Sequence, residues 1–258
     1  MGLFLSVSTT LLAQSNADIE NKLVRTFEQI PSYNEDSENA SEIEKRNQLF
    51  NKLLLKTCLL PGTIKYDFKK LKESGVFICT SPNGMLRVYS WNQETAGSFV
   101  LCRNVIQYQA NGVIKAISLK EEWDLHSIFH SIYPIIINNK TIYIAIGKSR
   151  NNTSTSEEKL AFFSIENGKL VKEAGLIRGK SKIADCFSFS MYPGDVHSLG
   201  YQIQYDEKKQ RIRVPVLLSE ETKPQLRIEI FDRKAGGYGE LSGKQTYFQF
   251  NGHSFVEE

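Results

Sequence analysis

The sequence is poor in the residues that small proteins use for cross-links and metal sites. Its four cysteines, Cys58, Cys79, Cys102 and Cys186, are too widely spaced for a zinc-knuckle pattern. It also has no block of like charge, because 32 basic and 29 acidic residues are spread along the chain to a net charge of +3. This balance predicts no nucleic-acid partner. The apolar runs are too short to predict a membrane span in the mature chain.

Motifs that would identify an enzyme are missing as well. No serine lies in a nucleophile elbow, and no glycine-rich loop has the spacing that cradles a phosphate. Asp185, Cys186, Asp195 and His197 offer a nucleophile and base set. However, residues 183–191 have the pattern of a buried strand, which favours an inert core cysteine at position 186. The sequence therefore predicts no catalytic residue.

Two histidines raise the question of a metal site. His126 and His130 are four residues apart, a spacing at which histidines on a helix can share a zinc ion. The residues that follow have a strand pattern, however, and on a strand residues four apart are separated by about 13 Å. We therefore expect no metal site and no cofactor.

The first 14 residues (MGLFLSVSTTLLAQ) are uncharged and largely apolar. Their length fits the apolar region of a signal peptide that ends near Ala13, which predicts an exported protein, periplasmic or secreted. The alternative is a buried strand or helix at this end of the chain. In an exported chain Cys79 and Cys102, in strands that we expect to be neighbours, are the first candidates for a disulfide, with buried free thiols as the alternative.

Residues 15–62 have a helical pattern. Apolar residues recur at helical spacing between positions 19 and 27 and again between positions 43 and 54. Pro31 separates the two stretches, and Pro61 with Gly62 ends the second. The pattern predicts two helices whose apolar stripes pack on the rest of the protein.

Residues 63–258 have the pattern of an all-β domain. Turn signals at Asn83–Gly84, Asn111–Gly112, Asn139 and Asn167–Gly168 follow one another at intervals of 28 residues, each between two strand-like runs. Repeated hairpins without helices between them predict an antiparallel meander, propeller-like or alternatively a β-sandwich. The fold class is therefore mainly β with two N-terminal α-helices.

One strand suggests a binding face. In residues 85–91, Arg87, Tyr89 and Trp91 alternate with Leu86, Val88 and Ser90, so they share one face. With Gln107 and Tyr108 on a later strand they could form a polar and aromatic platform for a sugar or a peptide. The alternative is that these side chains fill a layer between packed elements.

A second alternating segment lies further along the chain. Tyr201, Ile203 and Tyr205 share one face, and Gln202 and Gln204 lie on the opposite one. The same two interpretations, a binding face and a packed layer, apply to its aromatics.

The segment LRVYSWNQETAG, together with NVIQYQ and the hairpin YFQFNGHSFVEE, resembles a group of uncharacterised exported proteins of Gram-negative bacteria. Their mark is a D/N-G-x-L-R-x-Y-S-W strand followed by a T-G-G turn, and Ala96 stands in place of the first glycine of that turn. The resemblance covers most of the chain after Lys65. It implies an exported, mainly-β protein and no particular activity.

These patterns together predict an exported binding or interaction module rather than an enzyme, with an unknown protein or carbohydrate as its ligand. A glycan or a peptide would suit the platform. One alternative is a periplasmic hydrolase in which Asp185, Asp195 and His197 converge. Another is an inhibitor or immunity-type protein that binds its partner through a charged rim.

Overall fold

The computed structural model describes residues 15–33, 39–94, 101–119, 126–150, 156–179, 183–184, 186–191, 203–218 and 238–258. The predicted signal-like segment, residues 1–14, lies outside these ranges. The described residues form three α-helices, α1 (Asn16–Phe27), α2 (Ala40–Cys58) and α3 (Lys69–Glu73), and a 3-10 turn at Thr63–Lys65.

The two long helices are the two predicted from the apolar spacing. The Ser15 hydroxyl caps α1 by accepting a hydrogen bond from the Asp18 backbone N–H at 3.2 Å. Beyond α2, Gly62 takes a left-handed conformation with φ of 81°, which few other residues adopt without strain. Among the described helices, none is both long and apolar enough to cross a membrane.

The remaining described elements are fifteen strands. They are β1 (Phe77–Thr80), β2 (Leu86–Asn92), β3 (Cys102–Ala110), β4 (Val113–Ser118), β5 (Ile128–Ile137), β6 (Lys140–Arg150), β7 (Ser156–Glu166), β8 (Lys169–Lys172), β9 (Ile177–Arg178), β10 (Ile183–Ala184), β11 (Cys186–Met191), β12 (Gln204–Asp206), β13 (Arg211–Leu218), β14 (Tyr238–Phe250) and β15 (Phe255–Glu257).

These strands form two sheets, built mainly from antiparallel hairpins. The first has the order β1-β2-β3-β4. The second has the order β10-β9-β15-β14-β11-β7-β6-β5, with β8 paired to β7 and the β12–β13 hairpin paired to β14. Only the β11–β14 and β15–β9 pairs among the described strands are parallel. The predicted mainly-β meander with N-terminal helices is therefore confirmed.

Three hairpins turn as their asparagines predict. Positive φ occurs at both central residues of Asn111–Gly112 (51° and 77°), Asn138–Asn139 (50° and 61°) and Asn167–Gly168 (49° and 75°). These are tight two-residue turns, whose twist matches that of the strands they join. The regular spacing of the turn signals therefore reflects real hairpins.

The turn at Asn83–Gly84 is different, and the predicted two-residue form is wrong there. Of the pair, only Gly84 has positive φ, at 67°. The Gly84 backbone N–H donates to the Ser81 carbonyl at 2.8 Å, and the Ser81 N–H donates to the Leu86 carbonyl at 2.8 Å, so the loop spans four residues. Pro82 explains the difference, because its ring holds φ near −65° and favours the second position of an ordinary turn.

The elements stack in layers. The helices cover one face of the first sheet, where Phe50, Leu54, Tyr89 and Trp91 belong to one buried apolar cluster. The opposite face of that sheet packs on β5, β6 and β7 in a second cluster. The far face of β5–β7 packs on β9 and β12–β15 in a third. Meanders stacked face to face are common to propeller blades and sandwich layers.

The strand β2 is consequently buried on both faces. Leu86 and Val88 belong to the cluster between the two sheets, and Tyr89 and Trp91 belong to the cluster beneath the helices. The Ser90 hydroxyl accepts a hydrogen bond from the Phe129 backbone N–H at 3.2 Å, which links β2 to the second sheet.

The cysteines of α2 and of the first sheet are free thiols. Cys58, Cys79 and Cys102 are unbridged. The Cys79–Cys102 disulfide is not formed, because β2 lies between their strands and their partners on it, Val88 and Asn92, are four residues apart. Four residues along a strand span about 13 Å, whereas bridged Cα atoms lie within about 7 Å.

Candidate functional site

The five residues of the predicted platform lie inside the protein. Their exposed fractions are 6% for Arg87, 0% for Tyr89, Trp91 and Gln107, and 3% for Tyr108. Arg87 lies opposite Gln107 in the β2–β3 register, so Gln107 shares the face of Arg87, Tyr89 and Trp91, which packs on the helices. Tyr108 points to the other sheet. An open platform is therefore not what the structure shows, and the packing interpretation matches this placement.

Arg87 is held by groups that lie beneath the helices. Its Nη1 donates to the carbonyls of Thr63 at 3.0 Å and Tyr66 at 2.6 Å, and its Nε donates to the Thr80 hydroxyl at 2.7 Å. A buried guanidinium needs such acceptors, because an unsatisfied buried donor costs free energy. This arginine therefore fixes the 3-10 turn to the sheet.

Tyr89 and Gln107 continue the same network. The Tyr89 hydroxyl donates to Gln107 Oε1 at 2.9 Å. Gln107 Nε2 donates to the Cys58 carbonyl at 2.7 Å and to the Thr63 hydroxyl at 2.9 Å. Burial raises the pKa of Tyr89 well above its usual value, so its hydroxyl stays protonated and can donate.

Trp91 connects the sheet to α2. Its Nε1 donates to Asn47 Oδ1 at 2.9 Å, and Asn47 Nδ2 donates to the Gln93 carbonyl at 2.7 Å. The Trp91 ring meets Phe50 edge to face, with 5.0 Å between the ring centroids. Arg87, Tyr89, Trp91 and Gln107 thus form hydrogen bonds within the protein itself.

The structure gives each histidine of the pair a polar contact of its own within the protein. His126 Nδ1 lies 3.3 Å from the Cys102 carbonyl, and His130 Nδ1 lies 2.9 Å from the Ser131 hydroxyl. Burial, with a smaller effect from the charge of Lys148, lowers the pKa of His130 to about 4. Within the described ranges, no three His, Cys, Asp or Glu side chains are grouped closely enough to hold a metal ion.

The candidate hydrolase set falls largely outside the described residues. Asp185, Asp195 and His197 are not among them, and Cys186 is described only as the first residue of β11. The hydrolase alternative therefore stays a hypothesis.

An open polar cavity lies on another surface, on the outward face of β12, β13 and β14. Its volume is about 370 Å³. We name it the Arg211–Arg213 cavity; it is lined by Gln204, Tyr205, Asp206, Arg211, Arg213 and Tyr247.

Strand alternation explains why this face is polar. Ile212, Val214 and Phe248 point into the third apolar cluster. Their neighbours along each strand, which include Arg211, Arg213 and Tyr247, therefore point outward. The register places Arg213 between Gln204 of β12 and Tyr247 of β14. Three adjacent strands therefore each contribute a polar side chain at the same level.

Arg211 is held by two contacts. Its Cζ lies 4.1 Å from the centroid of the Tyr247 ring, which is a close cation–π geometry. Its Nη1 lies 3.5 Å from Glu258 Oε2. The side chains of Arg211 and Glu258 are 25% and 46% exposed, so solvent reaches this ion pair.

Two further polar atoms on this face are shielded from solvent and have no hydrogen-bond partner within the described part of the chain. They are Arg213 Nε and Gln245 Oε1. Gln245 lies two residues from Tyr247 and pairs with Pro215, so it shares the outward face. Native proteins seldom leave such atoms unpaired, so this face departs from ordinary surface packing.

Sequence reasoning missed most of this cavity. The segment Arg-Ile-Arg-Val at residues 211–214 alternates basic and apolar side chains, and that signal predicts a basic outward face. Ile203 and Tyr205 do lie in the core and Gln204 faces outward, as one of the two interpretations of that segment requires. Tyr201 and Gln202 lie outside the described residues.

Comparison of the chain with protein-family models, with curated proteins and with solved structures finds no match in any of the three.

Proposed function

We propose that this chain is a binding module that holds a polar group of a peptide or a glycan in the Arg211–Arg213 cavity. The observation that supports this most is the pair of outward-facing arginines beside an aromatic ring in an open cavity. Guanidinium groups, amides and phenols recognise ligands by hydrogen bonds of fixed direction.

The size of the cavity supports the same proposal. Sites for small molecules enclose about 300 to 1,000 Å³, and the cavity has about 370 Å³. This is enough for one side chain or one sugar ring. A larger ligand would lie across the sheet and place one such group in the cavity.

The cavity also lies on a firm support. The opposite face of the same strands is the third apolar cluster, in which Ile212, Val214 and Phe248 are fully buried. The backbones that present Arg211, Arg213 and Tyr247 are therefore fixed by core packing. Rigid strands hold recognition groups more accurately than loops do.

A titration of the full chain with a panel of short peptides and oligosaccharides tests the proposal. Isothermal titration calorimetry should find binders that lose about tenfold or more in affinity when Arg213 is replaced by Gln, because the charge and its fork of donors are removed. Binding that is unchanged in Arg213→Gln would place the ligand elsewhere.

The matched control is Arg103→Gln. Arg103 is partly exposed, forms an ion pair with Glu44 at 3.3 Å and lies on the helix side of the first sheet. Arg103→Gln removes the same charge at a place away from the cavity. We expect its affinity for every panel member to equal that of the unaltered protein.

We further propose that the module is exported, as residues 1–14 predict. Expression in a Gram-negative host, with and without these residues, tests this by cell fractionation. The chain should reach the periplasm or the medium only when residues 1–14 are present. Retention of both forms in the cytoplasm would contradict the proposal.

A further inference from the structure

We propose that the group recognised in the Arg211–Arg213 cavity is the carboxylate of an acidic side chain in a peptide, and that Glu258 is its internal competitor. The inference rests on the proposed binding function and specifies its ligand.

Arg211 is oriented for a planar anion. The Tyr247 ring covers one face of its guanidinium at 4.1 Å, which leaves the N–H groups at the edge of the plane to donate. A guanidinium edge matches the two oxygens of a carboxylate, because both groups are planar and their donors and acceptors are equally spaced. The ring thus holds Arg211 in a position that suits a carboxylate.

Arg213 supplies a second guanidinium to the lining of the cavity. It lies two residues from Arg211 on the same face of β13, and alternate residues on a strand are separated by about 7 Å. A carboxylate held by Arg211 would therefore lie close to a second cationic donor group.

The charge of the lining favours a group with one negative charge. Arg211 and Arg213 are cationic, and Asp206, which lies opposite Arg211, is anionic. Once Glu258 is displaced, the lining keeps one net positive charge. A carboxylate neutralises it, whereas a doubly charged phosphate would leave excess negative charge beside Asp206.

Glu258 shows how a glutamate reaches this position. Its backbone N–H donates to the Tyr247 carbonyl at 3.0 Å, and its carboxylate lies 3.5 Å from Arg211. It follows directly on β15, so it represents an acidic residue of an extended peptide.

The internal contact is weak enough to be exchanged. Half-exposed ion pairs contribute little, because solvent screens them. An external carboxylate can therefore replace Glu258 at Arg211. A group that occupies the site in the free protein lowers the apparent affinity for the external one.

The test uses the full chain and two blocked tripeptides, acetyl-Ala-Glu-Ala-amide and acetyl-Ala-Gln-Ala-amide, followed by NMR chemical-shift titration. The Glu peptide should bind about tenfold or more tightly than the Gln peptide. Glu258→Gln should raise the affinity for the Glu peptide about two- to fivefold, because the competitor loses its charge. Glucuronate and inorganic phosphate, titrated in parallel, should bind more weakly than the Glu peptide.

The matched control for Glu258→Gln is Glu207→Gln. Glu207 lies in the loop that joins β12 and β13, so this variant removes one negative charge near the cavity but leaves the carboxylate that pairs with Arg211 in place. Glu207→Gln should change the affinity for the Glu peptide by less than about 1.5-fold, because solvent ions screen an exposed charge that does not contact Arg211. An equal gain in affinity for the Glu peptide in both variants would contradict the role of Glu258 as a competitor, since the gain would then reflect net charge alone.

The other outcomes separate this inference from the proposed function. Equal binding of the Glu and Gln peptides that still depends on Arg213 overturns the carboxylate and keeps the binding module. If glucuronate binds more tightly than the Glu peptide, the claim that the ligand is a peptide is wrong. If phosphate binds more tightly than the Glu peptide, the claim that the recognised group carries one negative charge is wrong. If neither tripeptide nor any panel member binds, both proposals are wrong.

Discussion

Two sheet faces of this protein carry the same kinds of residue and use them differently. On β2 and β3, Arg87, Tyr89 and Gln107 lie beneath the helices, and each forms hydrogen bonds to groups of the protein. Arg87 is 6% exposed and its Cζ lies 5.9 Å from the centroid of the Tyr89 ring.

On β13 and β14, Arg211, Arg213, Tyr247 and Gln245 face outward, and two of their polar atoms have no partner in the described structure. The arginine lies closer to its ring, at 4.1 Å. An arginine, an aromatic ring and an amide on a strand face therefore do not identify a binding site. Whether another element covers the face decides whether these groups form hydrogen bonds within the protein or face outward.

The largest expected difference between the two faces concerns their aromatic rings. Trp91→Ala should lower the free energy of unfolding by about 3 to 5 kcal/mol, because it leaves a buried cavity and removes the partner of Asn47. Tyr247→Ala should cost about 1 kcal/mol, because its ring covers a half-exposed arginine. Urea unfolding followed by circular dichroism measures both. Equal losses of unfolding free energy in the two variants would show that the two aromatic rings do not differ in their contribution to stability.

The arginines should differ in the same direction by a smaller amount. Arg87→Met should lower the free energy of unfolding by about 2 to 3 kcal/mol, because the carbonyls of Thr63 and Tyr66 lose a charged donor. Arg211→Met should cost less than about 1 kcal/mol, since its pair with Glu258 is open to solvent. The same urea series measures both values. A larger loss of unfolding free energy in Arg211→Met than in Arg87→Met would contradict the view that burial beneath the helices makes Arg87 the more stabilising of the two.

Alkaline pH should also separate the two faces, because the face beneath the helices holds a buried thiol. Burial raises the pKa of Cys58, at the end of α2, from 9.0 to about 12. A pKa that is higher in the folded protein stabilises it fully below pH 9, and the contribution falls as the pH rises from 9 towards 12, by at most about 1.4 kcal/mol per pH unit.

Cys58→Ala removes this dependence. The variant should be less stable than the unaltered protein by a constant amount between pH 7 and pH 8, and the difference should narrow above pH 9. Urea midpoints across this range measure it. A difference that stays constant up to pH 11 would show that the thiol beneath the helices does not titrate in this way.

The hairpins could be predicted from the sequence because their signals are local. Asn111–Gly112 and Asn167–Gly168 take positive φ at both residues whatever lies elsewhere in the chain. Asn83–Gly84 was predicted in the same way and was wrong, because Pro82 is an equally local signal of the opposite preference.

The covering of each face could not be predicted, because it depends on distant residues. Alternation predicts that Arg87, Tyr89 and Trp91 share a face, but Asn47 of α2, which receives the Trp91 hydrogen bond, is 44 positions earlier. Arg213 and Tyr247 meet only through the β13–β14 pairing, across a separation of more than thirty residues. Periodicity predicts which residues share each face of a strand, but it does not predict which element packs on that face.

The burial of β2 on both faces has a consequence for hydrogen exchange. Its backbone N–H groups bond to β1 and β3, and layers of side chains close it from above and below. Solvent deuterium can therefore reach these amides only after a whole layer separates, and fraying of one strand end does not expose them. The exchange rates at the centre of β2 thus report the free energy that holds the layers together.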